Sequence, residues 1–115
     1  MLKNEDYELL KENLGNYQRI FEKLNGVANQ FGTIEYDESG FCLEEEETLK
    51  RHWLKLGMKV IEGLHEVFSD YTIELLQHKG LDERVLKITF LRDDFKSELH
   101  IDYSENGTLS ISQIS

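Results

Sequence analysis

The chain has 115 residues, of which 39% are hydrophobic and 31% charged, and its formal net charge is −10 at pH 7. This length predicts a single domain over residues 1–115, and the apolar fraction is too high for a disordered acidic tail. The negative charge argues against direct nucleic-acid binding, which depends on basic groups that displace counterions from phosphates, and it argues equally against binding to anionic membranes.

The first predicted element is an amphipathic helix from Asn4 to Phe31. Its apolar residues recur at steps of four and three, which places them on one helical face. They are Leu10, Leu14, Tyr17, Phe21, Leu24, Ala28 and Phe31, with Leu9, Ile20 and Val27 widening the face. Glycine costs about 1 kcal/mol in a helix, so a kink is expected at residues 14–16 or an end near Asn25-Gly26. The regular spacing also suits a coiled coil, but the wide face favours packing on the chain's own sheet, which leaves a monomer or a weak homodimer.

Residues 32–43 show two short alternating arms, Thr33 to Tyr36 and Phe41 to Leu43. The four residues between them, Asp37 to Gly40, have turn-forming composition and predict a hairpin. Because the second arm continues directly into a run of glutamates, a loop that enters the next helix is the alternative.

The best-defined helix covers Glu44 to Phe68, and the rest of the chain is expected to pack around it. Four glutamates at its start stabilise the positive end of the helix dipole. One face is apolar and the opposite face is charged. The apolar face carries Leu49, Trp53, Leu56, Val60, Leu64 and Val67, and the charged face carries Arg51, Lys55, Lys59, Glu62 and Glu66. Trp53 lies in the middle of the apolar face and is predicted to be the centre of the core.

After Phe68 the apolar period falls from about 3.6 residues to about two, which is typical of strands with one buried face. Four such segments follow: Tyr71 to Leu75, Leu86 to Phe90, Phe95 to Tyr103, and Leu109 to Ile111. The turns between them are predicted at His78 to Glu83, at Asp93-Asp94 and at Ser104 to Gly107. The predicted class is therefore a two-layer α+β fold, with two amphipathic helices packed on an antiparallel meander sheet in the order α-ββ-α-ββββ.

The sequence contains no arrangement of side chains typical of catalysis or metal binding. His65-Glu66 begins as a zinc-protease HExxH motif would, but Ser69 replaces the second histidine. The four histidines are scattered and there is one cysteine, so no metal-ligand spacing exists. An EF-hand pattern and a glycine-rich phosphate loop are both missing. We therefore predict a protein that is not an enzyme, with no catalytic residue, no metal site and no cofactor.

Cys42 lies between Phe41 and Leu43 and is predicted to be a buried, inert thiol. A single cysteine cannot form an internal disulfide and agrees with a reducing compartment. No apolar run reaches the length of a signal peptide or the ~20 residues of a membrane span. We therefore expect a cytoplasmic protein without membrane association.

Carboxylates concentrate at the predicted turns and at the start of the second helix. The densest group consists of Asp37, Glu38, Glu44, Glu45, Glu46 and Glu47. Stabilisation of the helix start accounts for the first-turn groups only. The group is therefore predicted to bind a basic protein, because complementary charge accelerates association.

In size, acidity, two-layer α+β pattern and lack of a catalytic arrangement, the sequence is similar to the small immunity and inhibitor proteins with which bacteria and phages block a toxin or a nuclease. The resemblance implies stoichiometric binding to a basic partner, and it transfers no residue roles. Two alternatives remain. One is a nucleic-acid mimic that acts on a nucleic-acid-binding protein, and the other is a small-ligand-binding or enzymatic domain with a pocket between helices and sheet.

Overall fold

The first helical region is divided at Gly15. The computed structural model describes residues 2–32, 43–76, 85–104 and 106–114, and of residues 31, 32 and 43–45 it describes the backbone alone. Helix α1 covers Asn4–Leu14, helix α2 covers Gln18–Gly32, and a 3-10 turn, Gly15–Tyr17, joins them. The 3-10 turn interrupts the region where a kink was predicted at residues 14–16, and the backbone on both sides of it keeps helical dihedral angles. Helix α2 continues through Gly26, so the alternative end near Asn25-Gly26 does not occur.

Helix α3 covers Leu43–Val67 and is 25 residues long. Leu43 is therefore the first residue of a helix, not the last residue of the predicted hairpin arm. The remainder of that hairpin, residues 33–42, lies outside the described residues. At its other end α3 stops at Val67, and the backbone turns through hydrogen bonds from Phe68 N to Leu64 O (2.8 Å) and from Tyr71 N to Phe68 O (3.0 Å).

The predicted four-strand antiparallel meander is confirmed. Its strands are β1 (Thr72–Leu75), β2 (Val85–Arg92), β3 (Phe95–Tyr103) and β4 (Leu109–Gln113), and they lie in the order β1-β2-β3-β4. A two-residue loop, Asp93-Asp94, joins β2 to β3, and Gly107 has a φ of 85° in the turn before β4. The turn predicted at residues 78–83 lies outside the described residues.

The helices cover one face of this sheet and form with it a two-layer α+β fold. Helix α3 lies over β1, and a Cβ atom at Gly57 would come within 3.0 Å of Leu75 Cδ2. Helix α2 lies beside α3 and reaches β3, where the Phe21 and Tyr103 rings stack with centroids 6.4 Å apart. The Tyr103 hydroxyl also donates to Glu22 Oε1 at 3.1 Å.

One continuous hydrophobic core fills the space between the layers, and Trp53 is part of it with 3% of its surface exposed. Two members of the predicted apolar faces are exposed instead: Leu9, at 38%, and Val67, at 39%. Val67 is the last residue of α3, and the turn that follows it brings Phe68 into the core in its place.

Candidate functional site

Four of the six residues of the predicted acidic group lie at the start of α3. Glu44, Glu45, Glu46 and Glu47 all belong to the first turns of this helix, as predicted. Glu47 is exposed and Glu46 is half-buried. Asp37 and Glu38 lie outside the described residues, so their proximity to the helix stays a prediction.

A second acidic surface lies at the opposite end of α3 and is centred on Tyr71. The Tyr71 hydroxyl donates a hydrogen bond to Asp6 Oδ2 at 2.9 Å, which ties α1 to the start of β1. The guanidinium carbon of Arg92 lies 4.4 Å from the centre of the Tyr71 ring. Asp70 precedes Tyr71, and the Asp93-Asp94 loop follows Arg92, so the exposed carboxylates of these three aspartates gather at this end. We call Asp6, Asp70, Asp93 and Asp94 the Tyr71 surface.

Aromatic packing fixes Tyr71 within this surface. Its ring contacts Phe68, Phe90 and Phe95 edge-on, with centroids between 5.5 and 6.2 Å away. Burial raises the pKa of the Tyr71 hydroxyl above its ordinary value of 10.0, and the hydrogen bond to Asp6 raises it further. The hydroxyl is therefore a stable hydrogen-bond donor at neutral pH.

An apolar groove lies between α3 and β1. It has a volume of about 520 Å³ and is lined by Leu54, Met58, Ile61, Ile73, Glu74 and Leu75. Met58 is the most exposed of its apolar residues, with 43% of its surface accessible. Glu74 is the one charged residue among the described residues of the lining. A groove of this composition can bury apolar side chains. The side chain of Glu74 alternates with those of Ile73 and Leu75, so its carboxylate lies on the other face of β1 and can pair with a positive charge there.

The residues considered for chemistry do not come together in the described part of the chain. His52 and His65 are exposed on α3. On β3, the Nε2 atom of His100 lies 2.8 Å from Glu98 Oε2. Among the described residues there is no cluster of three His, Cys, Asp or Glu side chains that could hold a metal ion. Cys42 and His78 lie outside the described residues.

Sequence reasoning found the Asp93-Asp94 turn but missed the other members of the Tyr71 surface. Asp6 and Tyr71 are 65 positions apart, and no spacing rule connects them. Sequence reasoning also did not locate the groove between α3 and β1. The residue pattern of β1 does not show that this strand lies at an edge of the sheet.

Comparison with protein-family models, with curated proteins and with solved structures gave no match. None of the helices in the described part of the chain combines the length and apolar character needed to cross a bilayer.

Proposed function

We propose that the protein is an immunity- or inhibitor-type protein that blocks a basic partner, such as a toxin or a nuclease, by stoichiometric binding. The observation that carries this proposal is the net charge of −10, together with the run of four glutamates at the start of α3. The docking residues are Asp37, Glu38 and Glu44 to Glu47. A surface of this sign attracts a basic protein over several ångströms and orients it before contact.

The two acidic surfaces are too far apart to act as one. They lie at opposite ends of α3, which with 25 residues is about 37 Å long. Exposed charges separated by several times the Debye length of about 8 Å act independently at physiological salt. We assign docking to the start of α3 because the carboxylates there are the densest in the chain. Asp6 of the Tyr71 surface already binds Tyr71.

The single cysteine agrees with a reducing compartment, and we propose that the protein and its partner meet in the cytoplasm. The partner can be isolated by affinity capture from the source organism with the intact chain as bait. The expected partner is a basic protein that binds in a one-to-one complex and loses its toxic or nuclease activity on binding.

Charge reversal then tests which surface docks. The variant Glu38→Lys with Glu45→Lys changes the predicted docking surface, and Asp70→Lys with Asp94→Lys changes the Tyr71 surface by the same net charge. Association rates of both variants and the wild type are measured by stopped flow at ionic strengths from about 0.01 to about 1 M, which moves the Debye length from ~30 to ~3 Å.

The first variant is expected to associate about tenfold more slowly at low salt and to show a weaker salt dependence, with dissociation changed less. Single surface pairs are worth only about 0–1 kcal/mol, so the double change is the informative one. If the Asp70→Lys, Asp94→Lys variant slows association more than the Glu38→Lys, Glu45→Lys variant does, the docking site is the Tyr71 surface. Association rates independent of salt in all three proteins would eliminate electrostatic docking.

A further inference from the structure

The two edge strands of the sheet, β4 and β1, differ in the contacts that their outward-facing sides make. At the β4 edge, Tyr7 of α1 donates a hydrogen bond from its hydroxyl to the backbone oxygen of Ile111 at 3.4 Å. The backbone nitrogen of Leu2 donates to Gln113 Oε1 at 2.9 Å. The residues around the start of α1 therefore lie along this edge, and Tyr7 occupies one of its outward-facing backbone groups. Such cover is a common protection of edge strands.

At the β1 edge no element of the described part of the chain gives the backbone groups such a cover. Leu76 N donates to Lys87 O at 2.9 Å, so Leu76 and, by alternation, Glu74 turn their peptide groups towards β2. Ile73 and Leu75 then turn theirs away from the sheet. No hydrogen bond within the described part of the chain reaches the N–H or C=O groups of these two residues. Within the described ranges the edge is therefore open to pairing with another extended chain.

The apolar groove runs beside these unpaired groups. The side chains of Ile73 and Leu75 point to the helical layer, and Leu54, Met58 and Ile61 form the opposite wall. A strand added beside β1 would direct every second side chain into this groove. Its other side chains would lie on the open sheet face beside Glu74, which is exposed.

We propose that the β1 edge and its groove bind an extended segment of a partner protein in which apolar residues alternate with basic ones. The backbone of Ile73 and Leu75 supplies the hydrogen bonds, the groove takes the apolar residues, and Glu74 selects the basic ones. This site is separate from the glutamates at the start of α3 and does not depend on the function proposed above.

A second copy of the chain fits this edge poorly in the register that uses the outward-facing groups of both Ile73 and Leu75 on each copy. Antiparallel pairing of Ile73 with Leu75 of another copy would place the two Glu74 carboxylates directly opposite each other, and like charges at such positions are destabilising. Each copy also carries a net charge of −10. A strand with basic residues would instead place a positive charge opposite Glu74, and it would be attracted by the net negative charge of the chain.

The test uses blocked peptides of alternating lysine and valine, about six residues long, which is the usual length of a strand. Binding is followed by NMR of the intact protein. The amide protons of Ile73 and Leu75 are expected to exchange rapidly in the free protein and to become protected in the complex. The same peptide with glutamate in place of lysine is expected to bind at least about tenfold more weakly.

Methylated peptides test whether the backbone of the ligand pairs with β1. In an antiparallel complex the valine nitrogens donate to the edge, whereas in a parallel complex the lysine nitrogens do so. We therefore expect methylation of either the valine nitrogens or the lysine nitrogens, but not of both sets, to abolish binding. Methylation of the other set of backbone nitrogens adds the same number of methyl groups and is expected to leave binding intact. Equal effects of the two sets would rule out strand addition.

Protein variants test the groove and the charge. Met58→Gln is expected to weaken binding about tenfold. Its control, Val67→Gln, changes another exposed apolar residue of α3 and is expected to have no effect. Glu74→Lys is expected to make the glutamate-valine peptide the better ligand, whereas Asp102→Lys, an equal charge change on β3, leaves the preference for lysine unchanged.

Three results would overturn the proposal. They are protection of the Ile73 and Leu75 amides in the free protein, no binding of the lysine-valine peptide at about 1 mM, and a dimer in sedimentation that Met58→Gln dissociates. The last result would make a second copy the occupant. Unchanged peptide binding by the Glu38→Lys, Glu45→Lys variant is expected, so failure here and failure of the acidic docking surface are distinguishable.

Discussion

Tyr17 packs directly against the backbone of α3 at Gly63. A Cβ atom at position 63 would overlap the hydroxyl and the ring of Tyr17. Tyr17 is the last residue of the 3-10 turn that divides α1 from α2. The position of Tyr17 in this turn therefore requires that residue 63 of α3 has no side chain. Glycine is the residue that allows such a close approach.

Replacing Gly63 by alanine is expected to destabilise the protein. Overpacking costs typically about 1–3 kcal/mol, and the gain in helix propensity returns only about 1 kcal/mol of it. Urea denaturation followed by circular dichroism measures the difference. Gly26→Ala is the control, because nothing lies within 4 Å of a Cβ at that position, and it is expected to stabilise α2 by about 1 kcal/mol. If Gly63→Ala behaves like Gly26→Ala, the contact with Tyr17 does not limit the approach of the helices.

Trp53→Ala is expected to lower the free energy of unfolding by about 3–5 kcal/mol, because Trp53 is 3% exposed and belongs to the hydrophobic core. The matched change is Val67→Ala on the same helix. Val67 is 39% exposed, so its truncation is expected to cost less than about 1 kcal/mol. Comparable losses in the two variants would contradict the burial that distinguishes these positions.

The stability of the protein is expected to depend on Tyr71 at alkaline pH. Burial and the bond to Asp6 raise the pKa of Tyr71 in the folded chain above the ordinary 10.0. Below pH 10 the hydroxyl is protonated in both states, and its stabilising effect is complete. As pH rises above 10, Tyr71 ionises first in the unfolded chain, so the free energy of unfolding falls by at most about 1.4 kcal/mol per pH unit until the folded pKa is passed.

Tyr71→Phe removes this titration. The variant is expected to be less stable than the wild type by about 1 kcal/mol at neutral pH, where the bond to Asp6 is lost. Above pH 10 its stability is expected to fall less steeply. Parallel pH profiles from urea denaturation of the two proteins would show that Tyr71 is not the group responsible.

The loop between β2 and β3 gives a comparison between two neighbouring aspartates. Asp93 has a φ of 52°, and among the described non-glycine residues it is alone in having a positive φ. A β-branched residue tolerates this region poorly, so Asp93→Val is expected to cost about 1–2 kcal/mol. Asp94→Val, one position later in the same exposed loop, is expected to cost less than about 1 kcal/mol. Equal melting temperatures would contradict the backbone conformation of Asp93.

Much of the fold follows from apolar periodicity. The apolar face of α3, the 3-10 turn that begins at Gly15 and the alternating residues of β2 and β3 all have local causes that the sequence displays. The periodicity was misleading at Val67. Its spacing places it on the apolar face of α3, but its side chain is exposed. Its position at the helix end, where the chain turns and Phe68 packs inward, depends on tertiary structure.

The candidate sites were less predictable because they depend on how distant segments meet. The run of glutamates at the start of α3 is evident in the sequence. The pairing of Asp6 with Tyr71 is not, and neither is the contrast between the two sheet edges. Alternation identifies β1 and β4 as strands but gives no indication that Tyr7 covers one edge while Ile73 and Leu75 face outward at the other.

The order of elements along the chain also determines when the core can form during synthesis. The three helices of the described part of the chain leave the ribosome before strands β1 to β4. Among these elements, their apolar faces can therefore pack only against one another until the sheet begins to emerge. The bond between Leu2 and Gln113 joins residues 111 positions apart and can form only after β4 is complete. A nascent chain arrested before β4 would therefore expose β3 as an unpaired edge, which makes this stage the most exposed to aggregation and to capture by chaperones.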